Sequence, residues 1–222
     1  MYSAHKFDFE SFFESVDDDR STSSREEESK RSAKRTRLSE SLLDDSEAWK
    51  FRIDIPEELK YVLVSDMELI THKKLLFGLP AKITVSTILS EYVKHVEKEK
   101  LDNISMISEV MSGMKDMLDG LLRSNLLYKS EISQYAEKVQ KGNLTPSNVY
   151  GSAHLLRLMV HMGSFLNNSN MDTSDESNVE LIERIINNFL LYLDANHARL
   201  FTSKNYTQTA EEYIKREEIK TE

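Results

Sequence analysis

The sequence predicts an all-α domain, and three observations carry that expectation. Its three prolines, Pro56, Pro80 and Pro146, all stand at the boundaries of helical patterns. Along the body of the chain, apolar residues recur at three- and four-residue steps, the spacing of one helix face. Within 149–166, Leu155, Leu156, Leu158, Met159, Val160, Met162, Phe165 and Leu166 surround nearly the whole circumference of a helix. A helix apolar on all sides is buried, so this one is expected at the centre of the fold.

In chain order, Pro56 suits the first turn of a helix, and Glu57 and Glu58 sit near its positive end. This helix should reach about His72, with Leu59, Leu63, Met67 and Ile70 at helical spacing. Gly78 and Pro80 break the pattern. The next helix starts near Thr84 and places Val85, Ile88, Leu89, Tyr92 and Val96 on one face. A third spans about 104–122, with Met106, Ile107, Val110, Met114, Met117 and Leu118 directed inward. Such methionines can form an adaptable binding surface, but a stripe at this spacing reads as core. On the central helix, His154, Arg157, His161 and Ser164 share one polar stripe. That stripe must meet water, a groove or a buried partner. The last long helix opens with Ser177 and Glu180 at capping-box spacing, buries Ile182, Ile185, Ile186, Phe189, Leu190 and Leu193, and ends near Phe201.

Composition narrows the function classes. The 222 residues are 39% hydrophobic and 30% charged, enough for one sizeable core plus a tail. No apolar run approaches the roughly 20 residues that span a bilayer, and MYSAHKFDFE is no secretory signal. The absence of cysteine excludes disulfides and cysteine-based zinc sites and fits an intracellular address. His72, His95, His154, His161 and His197 have no metal-ligand spacing, and GxSxG, HExxH and P-loop motifs are missing. His154 and Arg157 form an HxxR pair like that of tyrosine recombinases, which stabilise a phosphate in the transition state. No second arginine motif accompanies it, so the pair reads as packing or helix surface. The expectation is a non-enzyme with no cofactor and no metal.

Charge locates a boundary. Residues 1–48 are acidic and serine-rich, a composition that cannot bury enough apolar surface to offset its ordering entropy, and are expected to be a disordered tail. Residues 49–216 form the folded domain and 217–222 a short C-terminal tail. The body is nearly neutral, so it exerts no bulk attraction on nucleic acid. In the N-terminal tail, Lys30, Arg31, Lys34, Arg35 and Arg37 make a nuclear-import candidate, or else a solvated charge run balanced by the nearby acids. Serines beside Arg20, Arg25 and Glu26 are phosphorylation candidates. Phe7, Phe9, Phe12 and Phe13 form an aromatic and acidic cluster, read either as a docking motif or as an accident of a disordered end.

An ordered series of short motifs covers most of the body. It runs through Ile55-Pro56, Glu58-Leu59, Leu63-Val64, Leu69-Ile70-Thr71 and Leu79-Pro80-Ala81-Lys82, then Val85, Ile88-Leu89 and Tyr92. It continues with Leu126-Leu127-Tyr128-Lys129, Gln134-Tyr135-Ala136, Val149-Tyr150-Gly151, His154-Leu155-Leu156-Arg157 and Leu200-Phe201. In order and spacing this resembles the MRG domain, the mortality-factor-like module of chromatin complexes, over roughly residues 50–216.

The resemblance implies a single helical domain that takes up peptide segments of other chromatin proteins, some of FxLP type. It implies a nuclear scaffold of histone acetyltransferase or histone deacetylase complexes, with flanking contacts raising affinity through effective concentration. The family's shallow apolar pocket maps onto Ile55, Leu63, Val64, Met67, Tyr128, Val160 and His161. From periodicity alone, Leu63, Val64, Tyr128 and Val160 read equally as core. Tyr128 is the strongest single candidate, expected at a groove edge with its hydroxyl wet. The chain departs from the family at Met67, where tryptophan is common, at His161, where arginine is common, and at Gly78, where a bulkier aromatic is usual. No chromodomain pattern precedes the body, so direct methyl-lysine reading is not expected. The alternative reading is a nucleosome or nucleic-acid binder acting through the basic tail.

Overall fold

The computed structural model describes residues 51–100, 102–167 and 176–209. The expectations for the N-terminal tail, its basic and phenylalanine clusters and residues 217–222 lie outside them. Among the described residues seven α-helices follow one another: α1 (Glu57–Thr71), α2 (Val85–Lys98), α3 (Ile104–Leu121), α4 (Ile132–Tyr135), α5 (Ser152–Asn167), α6 (Glu176–Ala195) and α7 (His197–Leu200). The all-α expectation holds, with one small addition. Strand β1 (Leu75–Phe77) pairs antiparallel with β2 (Tyr206–Thr209), Leu76 opposite Gln208 and Phe77 opposite Tyr206 across an irregular register. Gly78 N–H donates to the Asn205 carbonyl at 2.7 Å, extending the pairing past the strand end. A three-residue strand after Lys74, whose φ is +55°, is too short to show period-two alternation in the sequence.

Pro56 stands immediately before α1, and its carbonyl accepts the Lys60 N–H at 3.1 Å. Glu57 and Glu58 occupy the first turn, where they complement the helix dipole. The Leu79–Pro80 bond is cis. Thr84 caps α2, its hydroxyl accepting the Thr87 N–H at 3.3 Å. Val85, Ile88, Leu89, Tyr92 and Val96 are all buried, as their spacing predicts. Burying each such side chain stabilises the fold by ~1.5–3 kcal/mol.

The other helices are rotated or bounded differently from expectation. On α1, Asp66 takes a core position and Met67 is only half-buried. On α3 the buried face is Ile107, Met111, Met114 and Leu118, while Met106, Val110 and Met117 are half-buried. Adjacent apolar residues on both flanks of the true face blurred its phase. From Leu122 to Leu126 the helix widens into a π-turn that delivers the chain to Tyr128. Ser177 lies inside α6 rather than at its cap, because the helix begins at Glu176. Ile182 is half-buried, and α6 ends at Ala195, with α7 completing the run to Leu200.

Helix α5 is central over its first two turns. Every residue from Ser152 to Met159 is buried, whereas Val160, His161, Phe165 and Leu166 are half-buried and Ser164 is exposed. The expected all-round burial therefore stops where the helix emerges from the core. Its start is held by a bridge between Thr84 and Gly151, flanked by Ala81 N–H to Val149 O at 2.8 Å and Val85 N–H to Tyr150 O at 2.9 Å. A Cβ on Gly151 would stand 2.9 Å from Ala81 Cβ and 3.1 Å from Phe77 Cζ. Glycine is needed here for close approach. Gly151→Ala should lower unfolding stability by ~1–3 kcal/mol, read as an earlier urea midpoint, since it overpacks a site that the bridge prevents from relaxing.

The extended segment before α1 lies against α5 and α6. Phe51 N–H donates to Asn167 Oδ1 at 2.8 Å, Asp54 N–H to Asn187 Oδ1 at 3.0 Å, and Asn187 Nδ2 to the Arg52 carbonyl at 3.0 Å. These side-chain bonds satisfy backbone groups that no sheet or helix would otherwise pair. They also position Ile55, which is half-buried at the entrance to α1.

Candidate functional site

Two features of α5 organise the molecule around it: a buried charge cluster in its first half and half-open apolar surface in its second. The cluster centres on Arg157, which is fully buried. Arg157 Nε and Nη2 donate to Asp66 Oδ2 and Oδ1 at 2.8 and 3.0 Å, a bidentate fork onto α1. Nη1 donates to the Leu126 carbonyl at 2.8 Å and to Glu131 Oε2 at 2.7 Å, and Nη2 reaches Glu131 Oε1 at 3.4 Å. The five N–H donors of a guanidinium are thereby all engaged. The guanidinium also lies 4.6 Å from the centroid of the Tyr128 ring.

Other groups close the acidic side. His154 Nε2 meets Glu131 Oε1 at 2.9 Å, Tyr128 N–H donates to Glu131 Oε2 at 2.9 Å, and the Tyr206 hydroxyl donates to Asp66 Oδ1. Helix α1, the turn after Tyr128, helix α5 and strand β2 are thus tied at one point. Burial alone pushes the Glu131 carboxyl up, but the charges of Arg157 and His154 and their hydrogen bonds outweigh it and hold the group at about 2. Burial, helped by Arg157, pushes the His154 imidazole below its usual value against the pull of Glu131. Burial works against the Arg157 charge, yet Asp66 and Glu131 raise its pKa well above normal. The resulting state is an ionised Arg157 between two carboxylates, with His154 neutral.

Of the polar stripe read from the sequence, His154 and Arg157 find this buried partner, while His161 is half-buried and Ser164 exposed. The HxxR pair is closed off from solvent, Arg157 held by two carboxylates and a backbone carbonyl and His154 by Glu131 through Nε2, which fits its packing reading. Asp66, Glu131 and Tyr206 were not foreseen as its partners. A signal existed: Asp66 lies at core spacing with Leu59, Leu63 and Ile70, and a charge there demands a counter-charge.

The seven positions expected to form the apolar pocket differ in accessibility. Val64 is exposed at 39%, Leu63 is buried at 3%, and Ile55, Met67, Val160 and His161 are half-buried. Helix α1 packs on α5, which carries Val160 and His161, and the π-turn before Tyr128 packs on α5 as well. Tyr128, expected at a groove edge, is buried, with 8% of the residue exposed, and burial raises the phenol pKa to about 12. Its ring is committed to Arg157. Tyr61, 68% exposed one turn before Val64 on α1, went unnoticed because an outward tyrosine does not disturb the helical pattern.

Fold and cluster together define an all-helical module pinned by one buried charge network on its central helix. The MRG family model matches residues 22–208, starting ahead of the boundary expected at 49. Mortality factor 4-like protein 2 of Homo sapiens is 40% identical over 178 residues, covering 77% of this chain and 61% of that protein. Mortality factor 4-like protein 1 of Rattus norvegicus is 40% identical over 165 residues, covering 73% of this chain and 50% of that protein. The chain belongs to the MRG family, and it spans between half and two thirds of the length of these relatives. Among the described residues, no helix is long and apolar enough to cross a membrane.

Proposed function

We propose that this chain is a non-catalytic, nuclear, chromatin-associated scaffold that captures peptide segments of partner proteins, including FxLP-type segments, within histone acetyltransferase or deacetylase complexes. The folded module is residues 49–216, and Lys30, Arg31, Lys34, Arg35 and Arg37 direct nuclear import. Family membership supports the class, and one observation supports the site: α1, which carries exposed Val64 and half-buried Met67, packs on α5, whose second half carries half-buried Val160 and His161. Half-open apolar surface on packed helices is the kind of face that receives an amphipathic partner segment. Methionine in place of tryptophan leaves a groove that fits its ligand by adaptation rather than by a rigid anchor. His161 lacks the planar five-donor fork of an arginine, which weakens bidentate contacts to acidic partner residues.

The exposure pattern selects the test. Leu63 and Tyr128 are buried, so their replacement would disturb the fold; Val64 is open and its replacement would not. Mass spectrometry of proteins co-purifying with the full chain should recover acetyltransferase or deacetylase subunits, and Val64→Asp should deplete them. A charge placed in an apolar contact of this kind should weaken binding by ~2 kcal/mol, roughly thirtyfold in Kd. Circular dichroism should show both chains equally helical. Equal recovery with Val64→Asp would remove α1 from the binding site.

A further inference from the structure

Helices α2 and α6 line an open groove of about 860 Å³ that includes none of the seven positions above. We infer that this groove is a second docking site, for an acidic peptide segment carrying a bulky apolar side chain. The helices meet through aromatic rings, Tyr92 to Phe189 at 4.9 Å and Tyr92 to Tyr192 at 5.1 Å, and His95 lies 5.2 Å from Tyr192. Leu191 rises beside this floor with 60% of its surface exposed. An apolar floor next to an exposed leucine offers burial to one large apolar group of a ligand.

Charge selects the ligand. Lys94 and Lys98 lie one turn apart on the α2 side of the groove, both exposed, and neither has an ion pair or hydrogen bond among the described residues. The acid of the lining, Glu91, is already held by Arg199 at 2.7 Å. The groove therefore presents two uncompensated ammonium groups on a chain whose formal net charge is −9. Two carboxylates flanking an apolar side chain complement that arrangement; a neutral or basic segment does not. A nucleic acid would match the lysines but would leave Leu191 and Val96 unused, and the Tyr92 ring is too deeply buried to stack on a base.

Random-peptide display against the full chain, counter-selected on Leu191→Asp and on the Lys94→Glu/Lys98→Glu double variant, tests this. Every substituted side chain is exposed, and circular dichroism with thermal unfolding would confirm that each variant keeps its fold. Peptides that prefer the parent chain should combine Asp or Glu with Phe, Leu or Trp. Synthetic copies should bind each variant at least about tenfold more weakly while binding Val64→Asp as well as the parent. Three results would overturn the inference: no differential enrichment, enrichment of neutral or basic peptides, or loss with Val64→Asp instead. A short DNA duplex that binds the parent and Leu191→Asp equally but not the double lysine variant would reassign the surface to phosphate recognition.

Discussion

Arg157→Met should lower the unfolding stability of the domain by ~3–5 kcal/mol, a large part of the ~5–15 kcal/mol that holds a typical domain. The reason is the pair of carboxylates left behind. Asp66 and Glu131 are 3% and 0% exposed, and without the guanidinium each keeps a buried charge with too few donors. Urea unfolding followed by helical circular dichroism reads the loss. Adding Asp66→Leu and Glu131→Met to the same chain should restore much of the stability, because well-packed apolar groups remove the desolvation penalty that the lone carboxylates carry. Arg157→Lys should fall between, since an ammonium replaces the charge but not the fork that spans Asp66 and Glu131. An unchanged midpoint for Arg157→Met would show that the cluster is not a stabilising tie.

Acid should weaken the same domain in two stages. Glu131 is held at about 2 in the fold against an ordinary value of 4.5. Between those values the unfolded chain binds the proton and the folded chain does not, so stability is full above about 4.5 and is lost as pH falls toward about 2. His154 acts in the same direction at higher pH. Burial, with Arg157, holds its imidazole below 6.5, so the unfolded chain protonates first and stability begins to fall below about 6.5. Urea midpoints should therefore begin to decline as pH falls below about 6.5, and decline further between about 4.5 and about 2. His154→Gln should flatten the upper stage and Glu131→Gln the lower. Midpoints that stay level over the whole range would contradict the ionisation states assigned to the cluster.

The legibility of this chain in its sequence varied with the range of the interaction. Helix α2 was readable residue by residue, because Val85, Ile88, Leu89, Tyr92 and Val96 follow one face and Thr84 supplies its own cap. Helix α3 was readable as a helix but not in phase, since Met106, Val110 and Met117 flank the true core face with residues of equal hydropathy. Strand β1 was not readable, as three residues gain strand geometry only by pairing with β2, far along the chain. The seven pocket positions emerged from a family resemblance; periodicity put Leu63 on the inward face with Leu59 and Ile70, but it could not mark exposed Val64 as part of a binding surface.

Local patterning by itself determined the helical class, the start of α1 and α2, the central place of α5 and the need for a partner to its polar stripe. Those features depend on neighbours within a turn or two, where side-chain period and backbone capping act directly. Tertiary structure decided which partner that stripe found, that the Tyr128 ring lies 4.6 Å from the Arg157 guanidinium, and that exposed Leu191 on α6 shares a groove with Lys94 and Lys98 on α2. Asp66, Glu131, Arg157 and Tyr206 are separated by as many as 140 positions along the chain. Their attraction exists only after packing has excluded water and brought them together, and no local pattern encodes that.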